Sequence, residues 1–465
     1  MERIFKKAKF AWDGFERFRA ERARCKRYVF GKQLEDTLEY NGRRMTERQY
    51  IEEMGQNPMQ NNLLRRILRN VTGVYRSSYK TPTFDPSGLN ESGDIYSESD
   101  ETGRKTSERT NDINRKIRRI FKANRMEELT PRLLEEFLIS GMSAVKICPA
   151  NGQNGCDVRI LPVTPDNFFF HTDGYDPRGW DVDLIGEVHN VTFSSLMEHL
   201  CRTAEEIEKM QQTLGADAGS LRPCRVLEVW YKHTEKWAFY HDTVSSTLRR
   251  MPMKEISRLT LPGKIRKEEI RSHYRSAWRS VWFSADGKIL KIGEEKESHP
   301  YVWKAYPFID GEVHSYVNDI IDQQRYVNHL ITLYDFIMRS SAKGVLLFPD
   351  ESIPRGWSLE EVADHWSRFN GVIPYRHQPG VPLPTQVSGN AANIGISELL
   401  KIEMQMLEDI SGVSPTLQGK LENSTSSGTL FAQQSQAAMT SLLDVVRSFE
   451  EFVESVAMAA QKRQG

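Results

Sequence analysis

Residues 396–452 read ISELLKIEMQMLEDISGVSPTLQGKLENSTSSGTLFAQQSQAAMTSLLDVVRSFEEF. Leu399, Leu400, Leu407 and Ile410 make an apolar helical stripe from Ile396 to Ile410. The helix should end at Asp409-Ile410-Ser411-Gly412-Val413-Ser414-Pro415, where glycine accepts a left-handed turn and proline cannot extend the ladder. Thr416 to Ser426 is polar and small, the composition of a movable loop. Ser427-Gly428 then opens a long helix to about Arg463. Its Phe431, Gln434, Ala438, Leu442, Val445, Phe449, Phe452, Val456 and Ala460 hold one face at helical spacing. Such a stripe is core, within the chain or against a neighbouring copy.

Working outward, Tyr316 to Arg339 repeats the helical period with Ile320, Ile321, Val327, Leu330, Ile331, Tyr334, Ile337 and Met338. Short strands are expected at 344–348 and 371–375, with a Pro/Gly-rich loop from Gln378 to Pro384. Residues 1–75 look helical, with Phe10, Phe15 and Phe18 set among Arg17, Arg19, Arg22, Arg24, Lys26 and Arg27 as an arginine-rich surface; a second helix runs from about Asn61 to Tyr75. Residues 85–111 are too polar to hold a structure alone and read as an exposed arm. Helices follow at 113–124 and 131–140. The period then falls to two: residues 144–148 and 157–161 form a hairpin, Pro165–Phe170 continues that sheet, and Asp181–His189 adds a strand. A helix from about Ser194 to Thr213 and a strand at Arg225–Tyr231 come next. Strands at 280–283 and 288–292 make a compact hairpin at Asp286-Gly287.

The chain has 465 residues, 39% hydrophobic and 27% charged, with zero formal net charge. That is roughly three domains' worth of chain with a sizeable core. No run approaches the ~20 apolar residues that span a bilayer. Met1-Glu2-Arg3-Ile4-Phe5-Lys6-Lys7 is followed by no apolar signal core, so the expectation is a soluble intracellular product without a membrane partner. Nucleic-acid affinity must come from local clusters. One is Lys254 to Arg279, with eight Lys/Arg (Lys254, Arg258, Lys264, Arg266, Lys267, Arg271, Arg275, Arg279) against Glu255, Glu268 and Glu269. Five cysteines lack CxxC spacing; Cys148 and Cys156 face each other across the expected hairpin, but a reducing cytoplasm disfavours their pairing.

Catalytic signatures are missing from the sequence. Phosphate-cradling G-x-x-x-x-G-K-[ST] is not formed by Gly412, Gly419 and Lys420, and Leu421 stands where the hydroxyl belongs. The eleven histidines show no H-E-x-x-H, and no G-x-S-x-G elbow occurs. Asp173, Asp176, Asp181 and Asp183 have the residue type to chelate Mg²⁺, yet they fall in DGYDPRGWDVD, where Asp and Gly serve a turn. The expectation is no catalytic centre, no cofactor and no metal. The alternative is a DNA-acting enzyme, a nuclease or terminase-like protein, working at those aspartates, or another minor structural protein.

The order of parts in residues 396–452 resembles the portal proteins of tailed double-stranded DNA bacteriophages, in particular the podovirus-like branch: helix, Ser-Gly-Val, loop, Ser-Gly, glutamine-rich helix. Three further stretches are similar. Asn61–Pro82 looks like the portal N-terminal helix, Leu161–His189 like a wing segment, and His299–Asn328 like a proline-flanked strand leading to a D-x-Q…N helix, here Asp322, Gln324 and Asn328.

The resemblance implies an α+β, mostly helical, ring-forming portal fold. Residues 1–245 would be N-terminal helices and an α/β wing, 246–315 the first stem segment and a β-containing clip, and 316–340 the stem helix. Residues 341–395 would return to the wing, and 396–465 would hold the tunnel helix, the tunnel loop (416–426) and a long helix toward a short or truncated crown. It implies a homo-oligomer, typically of twelve subunits, at one vertex of the virion capsid, assembled in the bacterial cytoplasm. Double-stranded DNA would pass without sequence preference. The large terminase subunit, major capsid and scaffolding proteins, and head-completion or tail adaptor proteins would be the partners. The DNA-facing residues would be Gln418, Gly419, Lys420, Asn423, Ser424 and Thr425. Lys264, Arg266, Lys267, Arg271, Arg275 and Arg279 would line the channel or dock terminase. Asp322, Gln324, Arg325 and Asn328 would mark the stem helix.

Overall fold

The computed structural model describes residues 1–84, 101–150, 158–174, 176–215, 222–242, 247–253, 271–343, 345–367, 372–387, 393–413 and 442–464. In chain order its elements are α1 (Glu2–Gly14), α2 (Glu16–Val29), β1 (Thr37–Tyr40), β2 (Arg43–Thr46), α3 (Glu47–Glu53), α4 (Leu63–Ser78), α5 (Glu101–Ala123), α6 (Met126–Ser140), β3 (Met142–Pro149), β4 (Val158–Val163), β5 (Phe168–Thr172), β6 (Val182–Thr192), α7 (Phe193–Leu200), α8 (Ala204–Leu214), β7 (Pro223–Asp242) and β8 (Thr247–Pro252). They continue with β9 (Arg271–Ser284), β10 (Ile289–Lys296), β11 (Tyr301–Ala305), β12 (Phe308–Ile309), β13 (Glu312–Val313), α9 (Tyr316–Lys343), β14 (Val345–Leu347), α10 (Leu359–Ser367), β15 (Thr385–Val387), α11 (Asn393–Ser411) and α12 (Leu443–Gln464). The class is α+β. Among the described residues no helix is long and apolar enough to cross a membrane.

Two units form. One comprises residues 1–25, 68–318 and 439–465; the other comprises 26–67 and 319–438. The first is built on an antiparallel sheet ordered β10-β9-β7-β6-β5, with β8 on the outer part of β7, and on a second sheet ordered β11-β3-β4. The triplet Phe168-Phe169-Phe170 shows how alternation assigns faces. Phe169 joins Leu184, Val188, Val229, Val281 and Phe283 under Ala8 and Ala11 of α1. Phe168 and Phe170 point the other way, to Met142, Ala144, Ile185, Trp230 and Tyr301 between the two sheets. Behind the smaller sheet, α12 packs on α5, β3 and β11. Leu442 just before it and its own Val446, Phe449, Phe452, Val453, Val456, Ala457 and Ala460 are all buried, and the rings of Tyr75 and Phe137 each lie 5.6 Å from Phe449.

Several expectations are corrected. The 194–213 helix breaks into α7 and α8, each opened by a threonine whose hydroxyl accepts a backbone N–H, Thr192 from Ser195 and Thr203 from Glu206. Pro165–Phe170 leads into β5 of the large sheet, not into the β3–β4 hairpin. The 280–292 hairpin forms as expected, β10 pairing with β9, but it is the rim of that large sheet, because β9 pairs with β7 from Arg271 to Ser284. Within the stretch read as helical, Asn41 and Gly42 turn a hairpin, at φ 49° and 73°. Residues 372–375 form no strand; β14 pairs with β15 instead. α5 begins at Glu101, inside the expected arm. Nor is the N-terminal arginine cluster a free surface: Arg22 is buried, held bidentately by Glu136 at 2.7 and 2.8 Å and by Asp166. Residues 427–441 and Cys156 lie outside the described residues.

Candidate functional site

The D-x-Q…N helix has a geometry that its sequence does not reveal. On α9, Gln324 and Asn328 are one turn apart and buried, while Asp322 and Arg325 point to solvent. Gln324 Nε2 donates to the Asn61 carbonyl (2.6 Å) and to Asn328 Oδ1 (3.1 Å). Its Oε1 accepts from the N–H groups of Leu63 and Leu64 at 3.0 and 3.2 Å. Those are the first N–H groups of α4, which no turn of its own helix can satisfy. Asn62 Oδ1 accepts a third, from Arg65, at 3.1 Å. Asn328 Oδ1 takes the Asn61 N–H (3.0 Å), and its amide donates to Gln33 Oε1 (2.6 Å). One turn further, the Thr332 hydroxyl accepts the Met59 N–H at 3.2 Å. One buried face of α9 thus replaces the sheet or helix partners that Met59–Leu64 lacks. Arg325 pairs at the rim with Glu47, 3.1 Å away.

Of the basic residues named from the sequence, Arg271, Arg275 and Arg279 are spaced by four on β9 and so share one face, opposite Phe239, Glu235 and Tyr231 of β7. Arg275 pairs with Glu297 at 2.8 Å, its guanidinium 5.0 Å from the Trp237 ring centre. Arg279 pairs with Glu295 at 2.8 Å. Two of these cations therefore carry internal acidic partners. Lys264, Arg266 and Lys267 lie outside the described residues, as do Gln418, Gly419, Lys420, Asn423, Ser424 and Thr425.

The four aspartates split into two pairs: Asp176 and Asp181 serve the turn, while Asp173 and Asp183 come together with His171. Asp181 Oδ2 accepts from the N–H groups of Gly174 (2.8 Å) and Asp176 (3.1 Å), and Asp176 accepts from the backbone and guanidinium of Arg178. They scaffold the turn, and the Arg178 hydrogen bonds hold the Asp176 carboxyl below the usual carboxylate range. Asp183 pairs with Lys7 and with His171 (2.9 Å), and exposed Asp173 lies 3.8 Å from the same ring; these three residues have ligand types that suit a metal, with Lys7 already supplying a positive charge to Asp183.

A charged network that the sequence did not announce joins the two sheets. Glu187 on β6 and Glu228 on β7 are direct cross-strand partners. Glu228 Oε2 accepts from Lys146 of β3 and His189 (3.0 Å), and its Oε1 from the Trp230 indole (2.9 Å). The Tyr301 hydroxyl of β11 donates to Glu187 at 3.2 Å. Burial alone would raise the Glu228 carboxyl, but Lys146 and His189 outweigh it and hold it at about 2. Burial pushes Glu187 up. The ligand types would suit a metal, yet Lys146 already supplies the positive charge, so the cluster reads as an ion-pair bracket.

Taken together, the described parts are structural brackets, a paired basic face and a long helix on a sheet core. The family model described as phage P22-like portal protein matches residues 6–459. The chain belongs to the P22-like phage portal protein family. No curated protein matches it. The portal match runs through both units and includes every site residue named from the sequence, the α9 glutamine and asparagine among them. A portal protein is a structural component of the phage virion serving genome packaging.

Proposed function

We propose that this portal chain is the subunit of a homo-oligomeric ring of twelve copies at one capsid vertex. Double-stranded DNA enters through the bore during packaging and leaves through it at ejection. The observation that carries the reading is the portal-family match across 6–459. The large terminase subunit docks on the ring and supplies the energy; the chain itself works without a catalytic centre, cofactor or metal. Major capsid and scaffolding proteins hold the ring's outer edge, and head-completion or tail adaptor proteins follow once packaging ends.

A conduit must let any sequence slide, so phosphate contacts without base readout are what it needs, and too many cations would stall movement. Gln418, Gly419, Lys420, Asn423, Ser424 and Thr425 meet that requirement as a tunnel loop, with one cation per subunit. Arg271, exposed on β9, together with Lys264, Arg266 and Lys267, forms the remaining basic surface for the channel or for terminase. In the ring, Gln324 and Asn328 brace the stem helix and leave the DNA to other residues.

The test is genome packaging in a particle system in which this chain is the sole portal protein. The parent should give DNA-filled heads, and Lys420→Glu should reduce filling while leaving assembled heads intact. Filled heads without the chain would overturn the portal role; unchanged filling with Lys420→Glu would overturn the DNA-contact role of the loop alone.

A further inference from the structure

Helices α4, α5 and α6 enclose a groove of about 1070 Å³ that none of the roles above uses. α4 presents Arg69, Gly73 and Arg76 to it, and α5 presents Arg118 and Lys122. In each helix these positions are three, four or seven apart, so each set is a single face. The remaining lining comes from α6 and its N-cap and is mixed in charge, Glu127, Glu128 and Glu135 with Arg125 and Arg132, beside buried Phe121 and Met126.

Two independent features call for an occupant. Arg69, Arg76, Arg118 and Lys122 have no acidic partner among the described residues, whereas Glu128 is already used by Arg125 (2.6 Å) and Arg132 (3.3 Å). Gathered like charges repel one another, and an anionic ligand would relieve that. The second feature is Gly73. It lies inside α4 with no positive φ, and a Cβ added there would meet nothing within 4 Å. Neither backbone conformation nor packing requires glycine, which weakens a helix relative to alanine. What its bareness preserves is open space in the groove.

The charge pattern selects the ligand class. A nucleic-acid backbone is anionic along its whole length and would meet the carboxylates of α6. A polypeptide can offer side-chain carboxylates to one wall and backbone N–H groups to the other. We propose that this groove binds an acidic peptide segment of a partner protein, with its carboxylates on Arg69, Arg76, Arg118 and Lys122 and its backbone crossing Gly73. The proposal does not depend on the ring.

Fluorescence anisotropy of the full-length chain with a labelled peptide of alternating Glu and Ala tests it. The parent should bind, more weakly as salt rises. Arg118→Glu/Lys122→Glu should weaken binding about tenfold or more. Gly73→Leu, which puts a branched side chain where the peptide backbone would cross, should weaken binding about tenfold or more with no loss of thermal stability, while Gly73→Ala should melt higher than the parent and still bind. Parent-like binding by Gly73→Leu or by the charge-reversed pair would overturn the proposal. So would equal binding of a Lys/Ala peptide, or equally strong competition by a short DNA duplex. A change of oligomeric mass in Gly73→Leu with peptide affinity intact would assign the groove to a contact between copies and overturn it too.

Discussion

The two units solve the same problem, a buried polar group far from water, with opposite chemistry. In one, Lys146, Glu228, His189, Glu187 and Tyr301 tie two sheets together through charge. In the other, Gln324, Asn328, Gln33 and Thr332 hold an irregular segment with neutral amides and a hydroxyl. Charges joined across sheets are strong only while both partners are ionised, and each is costly if left alone. Carboxamides donate and accept at once, so a single side chain can satisfy several orphaned backbone groups at any pH. The charged bracket should therefore be fragile both to single substitutions and to acid, the neutral one to loss of its hydrogen-bonding groups but not to acid.

Breaking the charged bracket gives the largest effect. Lys146→Met leaves Glu228 buried without its main partner and should cost about 3–5 kcal/mol by denaturant titration. Lys146→Met/Glu228→Leu should recover most of that. A double variant no more stable than Lys146→Met would show that the pair is not the unit.

Acid comes next. The Glu228 carboxyl titrates at about 2 folded against 4.5 unfolded, so its stabilisation is full above 4.5 and lost as the pH falls toward 2. The limit is about 3 kcal/mol. His299 adds a second window. Burial, with nearby Arg463, lowers its pKa from 6.5 to about 4. The unfolded chain therefore takes up the proton first, and stability falls as the pH drops from 6.5 to 4. Melting scans should show both slopes, the higher one missing in His299→Leu and the lower one in Glu228→Gln.

Gln324→Leu removes the acceptor for Leu63 and Leu64 and the donor to Asn61. It should cost about 2–3 kcal/mol, with no added pH dependence. Amide exchange at Leu63 and Leu64 should speed up beyond any global loss; exchange rising uniformly would refute the bracket. The smallest change is Thr332→Val, which removes the acceptor of the Met59 N–H and the long (3.4 Å) donor to the Met59 carbonyl, at about 1 kcal/mol.

The same contrast explains what could be read from sequence. The apolar stripe of α12 and the α9 helix were legible because their period is local and their buried faces are wide. The Asn41-Gly42 hairpin carried a strong turn signal but lies beside helical stretches and has weak apolar alternation. β7 ran well beyond the seven residues read from Arg225 to Tyr231, since Lys232, His233, Thr234, Glu235 and Lys236 show no apolar alternation; their pairing comes from β9. Gln324 and Asn328 were singled out by resemblance alone, because what they hold lies more than 250 residues away in the chain. For the same reason the acidic partners of Arg275 and Arg279 on and beside β10 left no mark in the basic run.

Negative-stain imaging of the purified full-length chain, with its mass in solution, asks most directly whether these brackets belong to a portal subunit. Rings with a central hole, at a mass near twelve chains, are the predicted result. A compact monomer under conditions in which the chain is folded would contradict it.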